Sequence, residues 1–545
     1  MACERKTLSE RRGIGRAAIA CILRSDNPGS RSAARCHHSI VALAAVIVAL
    51  AVGSAGPARA APEGQLTWAV HVSLPATWLD PGETPSLITP TMVMYALHDA
   101  LVKPMPGKTL GEGLAESWSV SQDGLTYEFV LRKGAKFHNG DDVTSEDVKF
   151  TFERYKGGLY SELKQAVASV ETPDPLRVQF KLKKAWPDFM TYYSTGSFAN
   201  WIVPKKYIEQ VGVENYKKAP VGAGPYKLVS FTPGVEMVLE AHEQYWRKAP
   251  NVKRFVWKTI PDEATRLAAL KRGEVDIAYS IRGELAAELE KTKGLSPKAT
   301  VIAAPFWLYF PEQWDPKSPW HDIRVRQAAS LALDYDGIND ALALGQSRIT
   351  GSIIPDMFEF YWQPPKPVYD PAKAKKLLAD AGYPNGFDAG DYHVDASYAN
   401  VGEAVVNNLQ AAGIRVRMRP VERAALFKAY SERTLKNLIQ GGSGAFGNAA
   451  TRLETFVVKG GPYVYGNYPD IDEMFREQAT ELDPKKREAL LHKIQQLVVE
   501  RRIFAPIWQL GFINGLGPRV GESTLGLIAG HSYTAPYEDI TIKSK

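Results

Sequence analysis

Residues 124–154 read GLTYEFVLRKGAKFHNGDDVTSEDVKFTFER and predict a strand, a turn and a helix in close succession. Apolar and polar residues alternate over residues 127–132, which predicts a strand with one apolar face. Asn-Gly-Asp at 139–141 predicts a turn, because Asn and Gly tolerate positive φ angles. Thr144 lies three residues before Asp147, which is the spacing of a capping box at the start of a helix.

The first 60 residues have the features of an export signal. A short apolar run at 39–53 follows a leader that is rich in Arg and poor in acidic residues, and small residues at 58 and 60 fit a cleavage site. The run is shorter than the roughly 20 residues that a membrane-spanning helix needs. We therefore expect a signal peptide at 1–60 that is removed on export, with a permanent anchor as the alternative. The general and the twin-arginine export routes both stay open.

The excess positive charge of the chain lies in this leader. The whole sequence has 66 Lys and Arg against 60 Asp and Glu, and the leader holds nine and three of them, which leaves 57 of each sign in the mature chain. A neutral mature chain argues against a nucleic acid or an anionic membrane surface as the partner.

All three cysteines (Cys3, Cys21 and Cys36) also lie in the leader. The mature chain is therefore expected to have no disulfide, no thiolate nucleophile and no cysteine metal site. No pair of histidines has the spacing of a metal site, so we expect no metal and no cofactor.

Several segments, taken together and in order, resemble the family 5 extracellular solute-binding proteins. These are the dipeptide-, oligopeptide- and nickel-binding receptors of bacterial ABC importers. The segments are residues 124–154, 219–228 (APVGAGPYKL), 272–277 (RGEVDI), 322–334 (DIRVRQAASLALD), 374–387 (AKKLLADAGYPNGF) and 409–416 (LQAAGIRV). The similarity covers nearly everything after residue 62.

The resemblance implies a two-lobed periplasmic binding protein fold of the α/β class. It is the type II fold of the large cluster, with an extra subdomain on lobe one and a hinge of two crossings. We expect lobe one at 61–305, with the subdomain at about 96–220, lobe two at 306–506, and a return to lobe one at 507–545. A chain of 545 residues is too long for a single hydrophobic core, which agrees with two lobes.

The ends of strands supply the first candidate ligand contacts. Tyr279 and Ser280 follow a short apolar strand, and ligands of open α/β sheets bind at the carboxyl ends of strands. The loop after the first strand is expected to face the cleft, so Glu83 and Thr84 are candidates as well. Asp80 begins that loop and is interpreted equally well as a turn cap.

Residues 440–448, QGGSGAFGN, form the most unusual segment. A dinucleotide site would need an acidic residue about 20 positions on, and a hydrolase elbow would need one more glycine, so neither fits. In the oligopeptide-binding members this loop carries a Trp and then an Asp that pairs with the amino terminus of the peptide. Gly442 and Ala445 take those positions here, so we expect more open space and no free peptide bound in the usual way, because an unpaired buried ammonium costs several kcal/mol. The candidate contacts from this segment and the helix after it are Gly442, Ser443, Asn448 and Arg452, the last of which is also interpreted as a helix-surface residue.

Arg423 lies where those members have an aromatic pocket residue. Its planar guanidinium suits a carboxylate or a phosphate, although a solvated helix residue is the alternative. Trp508, in the expected second crossing, is the best aromatic candidate for a cleft wall. The ligand is therefore expected to be bulkier or more anionic than a peptide, such as an acidic sugar, an opine-like conjugate or a modified oligomer.

The sequence thus predicts a monomeric periplasmic receptor that captures a small polar solute, peptide-like or conjugated, and delivers it to an ABC permease and its ATPase. Capture rather than chemistry is the expected mechanism. The alternatives are an envelope hydrolase, acting through an Asp/Glu pair or the Ser443 loop, and a peptide-chaperone or signalling role. Turnover of the bound solute would distinguish the hydrolase from the receptor.

Overall fold

The computed structural model describes residues 61–72, 74–84, 89–442, 444 and 447–543. The expected signal peptide at 1–60 lies outside these ranges, as do Ser443 and Ala445. No helix in the described part of the chain is long and apolar enough to span a bilayer.

The strands are numbered in chain order. They are β1 Glu63–Val70, β2 Asp99–Ala100, β3 Val102–Met105, β4 Lys108–Glu112, β5 Ala115–Val120, β6 Thr126–Leu131, β7 Val167–Asp174, β8 Arg177–Leu182, β9 Trp201–Ile202, β10 Tyr226–Thr232, β11 Glu236–Ala241, β12 Val252–Thr259, β13 Ile277–Ala278, β14 Ser296–Tyr309, β15 Arg348–Ile349, β16 Phe387–Asp395, β17 Ile414–Val421, β18 Leu438–Gly442 and β19 Phe504–Leu516.

The α-helices are numbered in the same way. They are α1 Thr91–Leu97, α2 Ser145–Arg154, α3 Tyr160–Ala166, α4 Lys205–Val211, α5 Val213–Lys218, α6 Glu263–Lys271, α7 Gly283–Lys291, α8 Ile323–Leu331, α9 Tyr335–Ala343, α10 Pro371–Asp380, α11 Ala399–Ala412, α12 Arg423–Ser431, α13 Ala449–Phe456, α14 Pro469–Gln478 and α15 Pro484–Glu500.

One eleven-stranded sheet runs through both lobes. Its order is β10-β11-β12-β1-β13-β19-β14-β18-β16-β17, and β15 pairs with β19. In lobe one, β1 lies parallel to both β12 and β13. In lobe two, β16 lies parallel to both β17 and β18. Parallel strands with helices between them in the chain are typical of α/β folds, so the predicted two-lobed α/β architecture is confirmed.

The strands β14 and β19 form the two crossings between the lobes. Residues 296–301 pair with 511–516 on the lobe-one side, and residues 305–309 pair with 504–509 on the lobe-two side. The register shifts at residues 302–304, where regular pairing is interrupted. A break in the ladder bends a strand and makes it locally easier to deform, so these residues are the natural position of the hinge.

Small sheets built from β2 to β9 form the subdomain of lobe one. The largest has the order β5-β6-β8-β7, and β2 pairs with β9 while β3 pairs with β4. The predicted strand–turn–helix unit at 124–154 is present as β6 and α2. The capping box between Thr144 and Asp147 is confirmed, with the Thr144 N–H donating to the Asp147 carboxylate at 2.9 Å.

The last residue of α2 ties this subdomain to the loop after β1. Arg154 donates two hydrogen bonds to the two carboxylate oxygens of Asp80, at 2.8 and 2.7 Å, and Asp80 is fully buried. Asp80 also accepts a hydrogen bond from the Gly82 N–H at 2.9 Å. Both the turn and the subdomain therefore depend on this carboxylate.

The GAGPY turn returns the chain to the large sheet, and its glycines allow a close approach of two backbones. A Cβ atom on Gly222 would lie 1.8 Å from the carbonyl oxygen of Leu97, and one on Gly224 would lie 2.4 Å from that of Ala96. Backbone atoms cannot move aside as a flexible side chain can, so no larger residue fits here.

We expect Gly222→Ala to lower the free energy of unfolding by about 3 kcal/mol or more, since the added methyl group would overlap a carbonyl oxygen. Urea unfolding followed by circular dichroism measures this. Gly134→Ala is the control: Gly134 has a φ of +81° but nothing lies within 4 Å of the new Cβ, so only the backbone strain of about 1 kcal/mol is expected. Equal losses in the two variants would contradict the close-approach argument.

Candidate functional site

The polar residues of the candidate site follow the carboxyl ends of parallel strands in both lobes. His71 follows β1 and Tyr279 follows β13 in lobe one. In lobe two, Tyr398 lies three residues after β16, and Arg423 begins α12 just after β17. Such strand ends are where open α/β sheets bind their ligands.

Three stacked aromatic rings form the lobe-one side. The ring of Tyr279 lies 5.1 Å from that of His71 and 4.8 Å from that of Tyr533, with interplanar angles of 16° and 27°. Tyr279 is buried, and its hydroxyl lies 3.3 Å from the Ser532 hydroxyl. His71 and Tyr533 are only half-buried, so these two residues are the accessible part of this aromatic wall.

A buried arginine fixes the turn that carries Tyr279. Arg266, in α6, donates hydrogen bonds to the carbonyl oxygens of Tyr279 and Ser280, both at 2.9 Å. Two more carbonyl oxygens, those of Ile260 and Pro261, accept from the same guanidinium. Ser280 itself has a φ of +50° and is buried. The predicted contacts Tyr279 and Ser280 therefore lie on a rigid turn.

In lobe two, Arg423 is anchored but not enclosed. Its Nη1 donates to the Asp395 carboxylate at 2.5 Å, and its guanidinium lies 5.0 Å from the ring centre of Phe427. Asp395 is buried, accepts a hydrogen bond from the Ser397 N–H and donates its own N–H to Gln440. The Arg423 side chain stays 48% exposed. Arg423 is thus held in place by Asp395, unlike an ordinary solvated arginine, but not all of its N–H donors are used by the protein.

Positive charges from both lobes act on the same tyrosines. Burial raises the pKa of Tyr533, and hydrogen bonds with Tyr279 and Thr89, followed by the charges of Arg282 and Arg423, oppose this rise. Burial also raises the pKa of Tyr398, and the same two charges again oppose the rise. Arg282 belongs to lobe one and Arg423 to lobe two, so the site draws cationic groups from opposite sides.

His71 is neutral at pH 7. Burial, followed by the nearby charges of Arg266 and Arg282, lowers the pKa of His71 to about 4. The imidazole therefore adds no charge to the site and contributes an aromatic face and hydrogen-bonding capacity.

Two of the predicted contacts pack against the subdomain. Glu83 forms an ion pair with Lys217 of α5 at 2.7 Å. Thr84 is fully buried, and its hydroxyl donates to the Asp80 carbonyl oxygen at 2.7 Å. Both side chains therefore hold the loop after β1 in place.

The structure contradicts the expectation that Gly442 opens space. Gly442 pairs with Phe306, and a Cβ atom on Gly442 would lie 2.9 Å from the Phe306 ring. The ring thus occupies the volume that a side chain would take. Trp508 pairs with Phe306 from the other side, is 1% exposed and belongs to the hydrophobic core of lobe two, not to an exposed wall.

The last two predicted contacts lie at the start of α13. The Asn448 side chain caps this helix by accepting from the Thr451 N–H at 3.0 Å, and it donates to Asp188 of the subdomain at 2.6 Å. Arg452 is 3% exposed and lies over the rings of Phe358 and Phe456. Burial lowers the pKa of Arg452 to about 9. The helix-surface interpretation of Arg452 is therefore wrong.

Five residues of the site were not predicted from the sequence: His71, Arg282, Asp395, Tyr398 and Tyr533. The rule that selected Tyr279, proximity to the carboxyl end of a strand, would also have selected His71, Asp395 and Tyr398. Tyr533 carries no local signal, because it reaches the site from the C-terminal tail through tertiary packing.

Comparison with known proteins identifies the family. A sequence profile described as "Bacterial extracellular solute-binding proteins, family 5 Middle" matches residues 109–464. The chain belongs to this family. Heme-binding protein A of Haemophilus influenzae is 29% identical to this chain over 467 residues, which cover 78% of this chain and 83% of the relative.

A second relative and a solved structure agree with this assignment. The glutathione-binding protein GsiB of Escherichia coli O157:H7 is 27% identical over 416 residues, 72% of this chain and 79% of that relative. The ABC transporter substrate binding protein CtaP of Listeria monocytogenes shares the fold, with a TM-score of 0.75 and 22% identity over 88% of this chain and 99% of that chain.

The family 5 protein is therefore a solute receptor that serves an ABC importer. The family and the structural relatives are binding proteins, and nothing among them supports the hydrolase alternative. In the described ranges no three His, Cys, Asp or Glu residues are grouped so as to hold a metal ion.

Proposed function

We propose that the family 5 protein captures a solute with at least two carboxylate groups between its lobes. It does so in the periplasm as a monomer, after residues 1–60 are removed, and hands the solute to the ABC permease and its ATPase. The observation that carries this proposal is the placement of two half-exposed arginines after the ends of strands, Arg282 after β13 in lobe one and Arg423 after β17 in lobe two.

Both guanidiniums keep donors for a ligand. A guanidinium has five N–H donors, and Asp395 takes one from Arg423. Arg282 contacts Glu263 at 3.4 Å, and its side chain is 54% exposed. Arginine binds carboxylates with paired, charge-assisted hydrogen bonds, which are about twice as strong as neutral ones. A solute with two carboxylates can pair one of them with Arg282 of lobe one and the other with Arg423 of lobe two.

The names of the relatives favour the same chemistry. Heme and glutathione, which two of them are named for binding, differ in shape, but each molecule carries two carboxylates. The half-buried rings of His71 and Tyr533, which stack on the buried ring of Tyr279, would pack against the apolar or planar part of such a solute.

The same charges would couple binding to closure. Two guanidiniums that approach each other from opposite lobes repel, which disfavours the closed form when no ligand is present. An anionic solute removes this repulsion and adds contacts to both lobes, so it stabilises the closed form selectively. A neutral solute of the same size would lack this effect.

Native mass spectrometry of the protein, purified from a bacterial envelope without denaturation, tests the proposal. We expect a bound solute with at least two carboxylates. Arg423→Gln should weaken its binding by about tenfold to a hundredfold, as expected for hydrogen bonds to a charged group, and titration calorimetry of the recovered solute measures this.

The matched control is Arg417→Gln. Arg417 also pairs with aspartates of lobe two, Asp388 and Asp391, but it is 58% exposed and lies within β17 instead of after its end. Its loss should leave the affinity unchanged. A neutral or cationic solute, or equal effects of the two substitutions, would overturn the proposal.

A further inference from the structure

A buried polar network joins the subdomain of lobe one to lobe two. The Asp188 carboxylate accepts hydrogen bonds from Asn448 Nδ2 and from Arg487 Nη2, both at 2.6 Å. Phe189, next to Asp188, belongs to the hydrophobic core of lobe one, whereas Leu491 of α15 belongs to a core of lobe two. Both bonds therefore cross the boundary between the lobes.

Lobe two holds its two donors in place by itself. Arg487 Nε donates to Gln478 at 3.0 Å, and the Arg487 guanidinium lies 5.1 Å from the ring centre of Phe360. Asn448 is fixed by its capping bonds at the start of α13. The donors are thus preorganised to receive a carboxylate from the other lobe, which reduces the entropy lost when the bonds form.

The network is shielded from water in this structure. The side chains of Arg487 and Asp188 are 5% and 14% exposed. If the lobes moved apart, Asp188 would separate from both donors and the charges would become hydrated. A charged pair that is shielded from water only in one state contributes mainly to that state.

We propose that Asp188, Arg487 and Asn448 form a closure latch that stabilises the closed form of the receptor. Asn448 ends the unusual segment at 440–448, so the latch also connects lobe closure to that segment. The latch acts whatever solute binds, and it is separate from the Arg282 and Arg423 site.

Pulsed electron paramagnetic resonance tests the latch without knowledge of the solute. The three cysteines all lie in residues 1–60, so protein produced without these residues can be spin-labelled specifically at Lys133→Cys in the subdomain and Lys376→Cys in lobe two, two exposed positions. The distance distribution is recorded for the protein as purified and again after the bound solute is stripped with denaturant and the protein is refolded.

Asp188→Asn removes the counter-charge of Arg487. The loss affects only the closed form, because Asp188 and Arg487 are apart in the open form. The substitution should therefore reduce the ratio of closed to open protein by about tenfold or more.

Asp174→Asn is the matched control. Asp174 pairs with Arg177 inside the subdomain, at 3.6 Å, and its loss should leave the distances unchanged. Thermal unfolding of the stripped proteins checks that Asp188→Asn folds normally. Distributions that coincide for the wild type and Asp188→Asn in both preparations would overturn the latch, and they would leave the proposed dicarboxylate site unaffected.

Discussion

Asp80→Asn is expected to lower the free energy of unfolding by about 3–5 kcal/mol, because it removes the counter-charge of a largely buried arginine. Asp80 is fully buried, and the Arg154 side chain is 13% exposed. Burial alone would raise the pKa of Asp80, but the hydrogen bonds and charge of Arg154 more than compensate, so the net pKa is lowered. Asp80 and Arg154 therefore stabilise the folded state as an ion pair. Removing the charge of one residue lowers the free energy of unfolding, because the other charge stays buried without its partner.

The measurement is urea unfolding at pH 7, with Glu274→Gln as the matched control. Glu274 also pairs with an arginine, Arg272, at 2.7 Å, but both side chains are about half exposed. Exposed pairs contribute little, so this control should unfold at nearly the same urea concentration as the wild type. Similar losses in the two variants would show that Arg154 becomes hydrated when Asp80 is replaced, and that the subdomain is not held by this contact.

The fold was predictable from the sequence where local chemistry decides it. The unit at 124–154 needs only an alternating pattern, a turn and a cap, and the structure has all three. Within lobe two, helices with clear starts, such as the one at Pro371–Asp380, need only a capping Asp and a proline in the first turn. None of these features depends on a distant residue.

The site was predictable only in part, because its decisive contacts are long-range. Arg423 was selected for its donors, but its anchor, Asp395, lies 28 residues away. The interpretation of Gly442 failed because Phe306, on another strand, fills the space. The Asn448 amide is engaged by Asp188, which is 260 residues distant. No pattern of spacing predicts such partners.

Acidification from pH 7 to pH 4 is expected to destabilise the protein through buried histidines. His98 is fully buried and His531 is 7% exposed, and burial lowers the pKa of each to about 4. In the unfolded chain both have a pKa near 6.5. Below pH 6.5 the unfolded state therefore binds protons that the folded state does not, so stability is lost as the pH falls toward 4, by about 3 kcal/mol for each histidine.

A variant isolates this contribution from that of the carboxylates. Buried acids such as Glu538, whose pKa is raised by burial, act in the opposite direction, so the total pH dependence is a mixture. The carboxylates contribute equally to the wild type and to His98→Gln, so the difference between their unfolding free energies does not contain that contribution.

At pH 7 the wild type keeps the full contribution of a neutral His98, whose Nε2 donates to the Leu79 carbonyl oxygen. The difference should shrink by about 3 kcal/mol between pH 7 and pH 4, because glutamine does not titrate. A difference that stays constant would mean that His98 takes up its proton equally in the folded and unfolded states, which would contradict the lowering of its pKa by burial in spite of the nearby Asp80 charge.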